Sequence, residues 1–168
     1  MSRRVVADSG GMIPSELTGK ALAALTRKEL TVAEMAAWLE SRGATEDDVS
    51  EVLAELSAAG ALDDERFARG YAKDKRELSG WGDERIRAAL GQRGVSAELI
   101  ESALAGDDEG ELERAVAVLR RRGEAADDDA ARGRCFAALA RRGYDAELAY
   151  AAVAAYERRL SEPGERAA

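Results

Sequence analysis

The 168 residues include no histidine and a single cysteine, Cys135. Lack of histidine removes the commonest general base near neutral pH and the commonest zinc ligand. One cysteine cannot close an intramolecular disulfide, which fits a reducing cytoplasm. Prolines number two, Pro14 and Pro163, and aromatics make up only 5% of the chain. The long interior is therefore open to continuous helix, and strands built on aromatic side chains are not expected. No apolar run approaches the about 20 residues that cross a bilayer. The two arginines near the N-terminus lead into no apolar stretch of a secretory signal. Neither a Gly-x-x-x-x-Gly-Lys-Ser/Thr loop nor a Gly-x-Gly-x-x-Gly turn is present. The expectation is a chain with no catalytic residue, no cofactor and no metal. A carboxylate-only enzyme is the one catalytic class left open.

What the chain has in quantity is alanine, leucine and charge. Hydrophobic residues reach 46%, enough for a core, and small apolar side chains suit closely packed helices. The net charge is −8 and the pI near 4.8. A protein that coats DNA is usually basic overall, so that class is disfavoured. The 25 Lys and Arg still suffice for local basic faces.

Helix ends are legible from caps and stops. A first helix is expected over about Ser15–Leu30, with Leu17, Leu22 and Leu25 as a loose apolar face. Thr31 with Glu34 forms a capping box, and Gly43 follows Arg42 where a left-handed residue belongs. Thr45 opens the next helix, with Glu46, Asp47 and Asp48 at its positive dipole end, and Gly60 closes it. Asp63 caps a helix reaching about Glu77. Further helices run from Asp83 to Arg93, Ser96 to Ala105, Asp108 to Arg122, Asp128 to Arg142 and Asp145 to about Leu160. The first four are closed by Gly94, Gly106, Gly123 and Gly143.

Three of these stops align. Trp38-Leu39, Ala89-Leu90 and Ala138-Leu139 stand before Gly43, Gly94 and Gly143, glycines spaced 51 and 49 residues apart. The apolar sets that follow also align: Val49, Val52, Leu53, Leu56; Leu99, Ile100, Ala103, Leu104; and Leu148, Ala149, Ala152, Val153. Such a period marks stacked helical repeats, in which no unit buries its apolar face alone. The division expected is an N-terminal tail over 1–14, a helix over 15–30, and repeats over 31–80, 81–123 and 124–160. The third repeat is expected to lack its last helix, with a tail over 161–168.

One segment is more specific. Gly60-Ala61-Leu62-Asp63-Asp64-Glu65-Arg66-Phe67-Ala68 runs on to Tyr71, and Gly82 to Val95 follows with Ile86, Leu90 and Gly94 at regular spacing. This resembles the signature of the RecX family, over roughly Leu22 to Tyr156. Asp83 stands where that family often has proline, and Trp81 where a basic residue is common. The resemblance implies an all-α fold, an elongated and curved array of tandem three-helix repeats in a bacterial cytoplasm. It also implies a monomeric regulator that binds the RecA filament on single-stranded DNA and inhibits strand exchange and ATP hydrolysis. Direct DNA contact is secondary, and no membrane is involved. A helical scaffold unrelated to recombination is the alternative.

The candidate contact residues are basic. Arg66, Arg69, Lys73 and Arg76 recur every three or four positions on the 63–77 helix, opposite a core stripe of Phe67, Tyr71 and Leu78. Arg85, Arg87 and Arg93 form a second cluster, and Arg141 and Arg142 a third with Arg120 to Arg122, Arg132 and Arg134. Each set reads either as a partner face or as a solvated one, and cations at helix C-termini are favoured by the dipole in any case. The acids Asp63 to Glu65 and Asp127 to Asp129 are read as caps. Trp38 and Cys135 are read as core. Trp81, between two glycines, is either a partner anchor or a plug at the joint between the first and second repeats.

Overall fold

The helix signals predict where backbone donors and acceptors run out, and the computed structural model, which describes residues 14–106, 108–124 and 126–161, places its helices accordingly. The described residues form helices α1 (Pro14–Leu25), α2 (Val32–Glu40), α3 (Glu46–Ala58), α4 (Asp64–Ser79), α5 (Asp83–Gln92), α6 (Ala97–Leu104), α7 (Asp108–Arg122), α8 (Asp129–Ala140) and α9 (Ala146–Ser161). No strand occurs among them. The all-helical class expected from the sequence is the class observed. Apart from Pro14 and Ser161, which end helices, the two expected tails lie outside the described residues.

The caps form as read. Thr31 and Thr45 each complete a capping box, and Ser96 and Asp128 accept from the backbone of Leu99 and Ala131. Gly43, Gly60, Gly94, Gly106, Gly123 and Gly143 all have positive φ. Several helix ends differ from expectation by one or two residues, and that of α1 by five. α1 stops at Leu25 rather than Leu30, and the chain leaves it through turns in which the Thr26 amide donates to the Leu22 carbonyl and the Lys28 amide to the Ala24 carbonyl. α4 continues to Ser79, just before the left-handed Gly80.

The chain divides into two compact units. Among the described residues, the first holds those up to Phe67 together with Arg93–Val95, and the second Ala68–Gln92 with those from Ser96 on. In the first, α1, α2 and α3 pack on one another around Leu17, Met35, Leu39, Val52 and Leu56, all at most 1% exposed. In the second, α7, α8 and α9 do the same around Val116, Leu119, Cys135, Leu139 and Ala152, and α5 packs on α6. Burial of each large side chain contributes about 1.5–3 kcal/mol. Packing thus joins α1 to α2 and α3, whereas the glycine-to-glycine division cuts the periodic chain one helix later.

Two apolar expectations are corrected. Leu78 is not core: it is 80% exposed, because every residue of the last turn of α4, Glu77 to Ser79, is exposed and the helix outruns its packing. The buried line of α4 is Phe67, Ala68 and Ala72, with Tyr71 only half-buried. Trp38 is half-buried against its core, its ring carrying the Arg42 guanidinium 3.6 Å from the centroid.

The glycine stops differ in how tightly they are held. Gly43 and Gly143 share a φ of 81° and 82°, but open space surrounds Gly43 while a Cβ on Gly143 would collide with Arg85, backbone included. Gly43→Ala is expected to cost about 1–2 kcal/mol, the left-handed penalty alone. Gly143→Ala should add about 1–3 kcal/mol of overpacking to that. Gly133→Ala, at an exposed and unobstructed site inside α8, should stabilise by about 0.5–1 kcal/mol. Urea denaturation followed by helical circular dichroism ranks the three variants.

Candidate partner-binding face and the joints that flank it

The basic stripe of α4 is only partly outward. Arg66, Arg69 and Lys73 are exposed. Arg66 donates to the Gly60 carbonyl at 3.1 Å and lies 3.8 Å from Asp63, which pins the turn into α4. Arg76 turns inward instead. Its side chain is 12% exposed, donates to both oxygens of Asp83 at 3.0 and 2.7 Å, and donates again to the Leu104 carbonyl at 3.2 Å. A guanidinium so engaged holds structure, since breaking a buried pair strands the remaining charge.

Asp83 starts α5 and anchors a knot in the second unit. Its carboxylate also lies 3.7 Å from Arg114, and its amide donates to Glu111 at 2.8 Å. Burial is the leading cause that pushes the Glu111 carboxyl above its ordinary range. Close by, burial pushes the Tyr144 phenol up to about 12, and its hydroxyl donates to the Gly80 carbonyl at 3.1 Å. The Gly82 amide donates to the Arg142 carbonyl at 2.9 Å, and the Glu84 amide to the Gly143 carbonyl at 3.2 Å. A side chain on Gly82 would run into the Gly143 backbone. Here the start of one helix seats directly on the end of another.

The remaining candidates sort by their neighbours. Arg85 donates to the Arg141 carbonyl at 3.0 Å and stacks on Trp81 at 4.1 Å, with Lys75 4.9 Å from the same ring. Trp81 is half-buried beside these two cations. Arg142 donates to the Ala138 carbonyl at 3.3 Å, and Arg141 caps α8 through its backbone amide. Arg87 pairs with Glu101 at 2.7 and 3.2 Å on the surface, where solvent and salt screen the attraction. Arg122, Arg132 and Arg134 are paired with Glu124 and Glu157. The acids behave as caps: Asp63 accepts from the Arg66 amide and Asp128 from the Ala131 amide.

The first unit repeats the joint with different chemistry. The Thr31 hydroxyl accepts from the Glu34 amide and donates to the Arg93 carbonyl at 2.7 Å. Glu34 returns to the Thr31 amide and accepts from Arg93 at 2.8 and 2.6 Å. Arg93 also donates to the Glu29 carbonyl and lies over Phe67 at 4.2 Å. The Val32 amide donates to Asp64 at 2.9 Å. Asp64 and Glu111 are thus caps supplied by a different helix. The sequence signal for them was slight: each is one acid among several near a helix start.

Comparison with known proteins follows the same segment. Residues 63–104, from the cap of α4 to the end of α6, match the family model described as RecX, second three-helix domain. The 81–123 repeat read from the glycines instead holds α5 to α7, so the two divisions cut the chain at different points. The chain is 38% identical over 109 residues to the regulatory protein RecX of Mycolicibacterium vanbaalenii, covering 62% of this chain and 59% of that one. It is 37% identical over 110 residues to that of Mycobacterium ulcerans, covering 63% and 64%. With that of Stenotrophomonas maltophilia it shares 35% over 116 residues, covering 68% and 71%. The matches to the two mycobacterial relatives therefore span about three fifths of their length. A crystal structure of RecX from Lactobacillus salivarius superposes with a TM-score of 0.79 over 86% of this chain and 97% of its own, at 20% identity, a likeness of fold. No helix among the described residues is long and apolar enough to cross a membrane.

The Arg93 guanidinium, above all through its hydrogen bonds, holds the Glu34 carboxyl below its ordinary 4.5. A carboxyl lowered on folding stabilises the fold above its unfolded pKa, and that contribution is lost as pH falls through the folded value. Arg93→Ala should therefore cost about 1.5–3 kcal/mol at neutral pH, as expected for hydrogen bonds to a charged group. The difference from the unsubstituted chain should shrink as the pH drops below about 4.5, where the carboxyl of the unfolded chain takes up its proton, and vanish once the pH has passed the lowered value of folded Glu34. Urea midpoints measured across that range give the comparison.

Proposed function

The chain belongs to the RecX family of regulatory proteins, and on that premise we propose that it binds the RecA filament on single-stranded DNA and restrains its strand exchange and ATP hydrolysis. It does so in the cytoplasm and as a monomer. The observation that carries this reading is the outward face of α4. Arg66, Arg69 and Lys73 stand exposed within the family-matched segment, while Arg76 and Arg93, alike in sequence, are held in internal knots. An exposed row of cations meets an acidic protein surface or phosphates, and steers encounter with it. The net charge of −8 favours protein contact over DNA as the main source of affinity. The chain contributes contact alone, and RecA performs the hydrolysis. A helical chain touching neighbouring RecA protomers hinders the movement that accompanies nucleotide turnover.

The test is the DNA-stimulated ATPase rate of RecA titrated with this protein. Inhibition that weakens with added salt is expected, since exposed charges are screened. The triple variant Arg66→Glu, Arg69→Glu, Lys73→Glu should need roughly tenfold more protein for the same inhibition, with its circular dichroism unchanged. Full inhibition by the folded triple variant removes α4 from the contact. No effect of either protein at any ratio points to a helical scaffold for some other partner.

A further inference from the structure

The first unit carries a second basic feature that the α4 reading does not use. An open cleft of about 530 Å³ lies beside the end of α1. Its apolar lining is Ala23, Ala24, Leu30 and the half-buried Trp38. Four cations rim it: Lys20 from α1, Arg27 and Lys28 from the connection after it, and Arg42 from the end of α2. Among the described residues, no carboxylate is part of the lining. In a chain of net charge −8, four cations around one hollow form a local positive field against the overall sign. Arg42 is held in place. It stacks 3.6 Å from the Trp38 ring centroid and donates to the Trp38 carbonyl at 3.0 Å. Lys28 also feels the charge of Glu34, which is already paired with Arg93.

We propose that this cleft is a docking site for an acidic peptide segment of a partner protein, an aliphatic side chain on the alanine and leucine floor and flanking carboxylates on Lys20, Arg27, Lys28 and Arg42. Three observations favour a peptide over a nucleic-acid strand. The Trp38 ring packs against the core of its unit and carries Arg42 on its face, so it offers no platform for a base. Beside that ring the apolar lining is aliphatic, Ala23, Ala24 and Leu30, and suits an aliphatic side chain. A nucleic-acid strand longer than the hollow carries its charges on beyond the four cations, whereas a short acidic segment places its few carboxylates within their reach. The site is separate from α4, and its test needs no RecA, so it stands or falls independently of the regulatory reading.

The test is fluorescence anisotropy with the full chain and three labelled probes: a peptide of repeating Glu-Glu-Leu units, its Gln-Gln-Leu twin, and oligothymidylate. The acidic peptide should bind saturably, and Arg27→Glu with Lys28→Glu should weaken it at least roughly tenfold. Both residues are exposed in a connection, so the variant keeps its fold, which circular dichroism verifies. Equal binding of the glutamine twin, or acidic-peptide binding that the double variant leaves intact, overturns the proposal. Oligothymidylate binding that the double variant abolishes, without binding of the acidic peptide, assigns the cleft to nucleic acid and overturns it as well.

Discussion

A helix leaves its first amides and its last carbonyls without partners. In the second unit these two deficits meet. The amides of Gly82 and Glu84, at the start of α5, donate to the carbonyls of Arg142 and Gly143, just past α8. Such an approach of backbone to backbone leaves no room for a Cβ, which is why both contact positions are glycine. The left-handed turn at Gly143 does two things at once: it ends α8 and it presents carbonyls to a helix start some sixty residues earlier in the chain. In the first unit the corresponding contact is the Thr31 hydroxyl on the Arg93 carbonyl. Thr31 and Gly82 are separated by the same 51 residues as Gly43 and Gly94, and Arg93 and Arg142 by the same 49 as Gly94 and Gly143.

This joint decides which charged residues are available for anything else. The start of α5 draws in Arg76 and Glu111, and the start of α2 draws in Glu34, Asp64 and Arg93. Acids from other helices add to the local capping box of α2 and accept from the first amide of α5. Cations follow those acids inward. What remains outward on α4 is Arg66, Arg69 and Lys73, so the proposed contact face is a remainder left by the demands of the fold.

The sequence made the punctuation of the fold legible because caps and stops are local. Thr31, Thr45, Ser96 and Asp128 act on amides two or three residues away, and left-handed glycines need no tertiary partner to be recognised. The repeat was legible for the same reason. Properties that depend on what a helix meets were not. Leu78 shares the angular position of Tyr71, yet its turn lies beyond any neighbour. Arg76 shares a stripe with Arg69 and Lys73, yet Asp83 lies within its reach. Trp38 reads as core from its place beside Leu39, and only the structure sets Arg42 over it and the cationic cleft beside it. Glycine stops also look alike from one helix to the next, so they mark where helices end without saying which helices pack together.

Native-state hydrogen exchange at Gly82 and Glu84 tests the joint most directly. Amides in the first turn of a helix have no partner within it and exchange quickly when solvent reaches them. With α5 seated on the end of α8, both amides should exchange as slowly as the interior amides of α8 and α9, opening only when those helices come apart. Fast exchange at Gly82 and Glu84 while α8 and α9 stay protected would contradict the account.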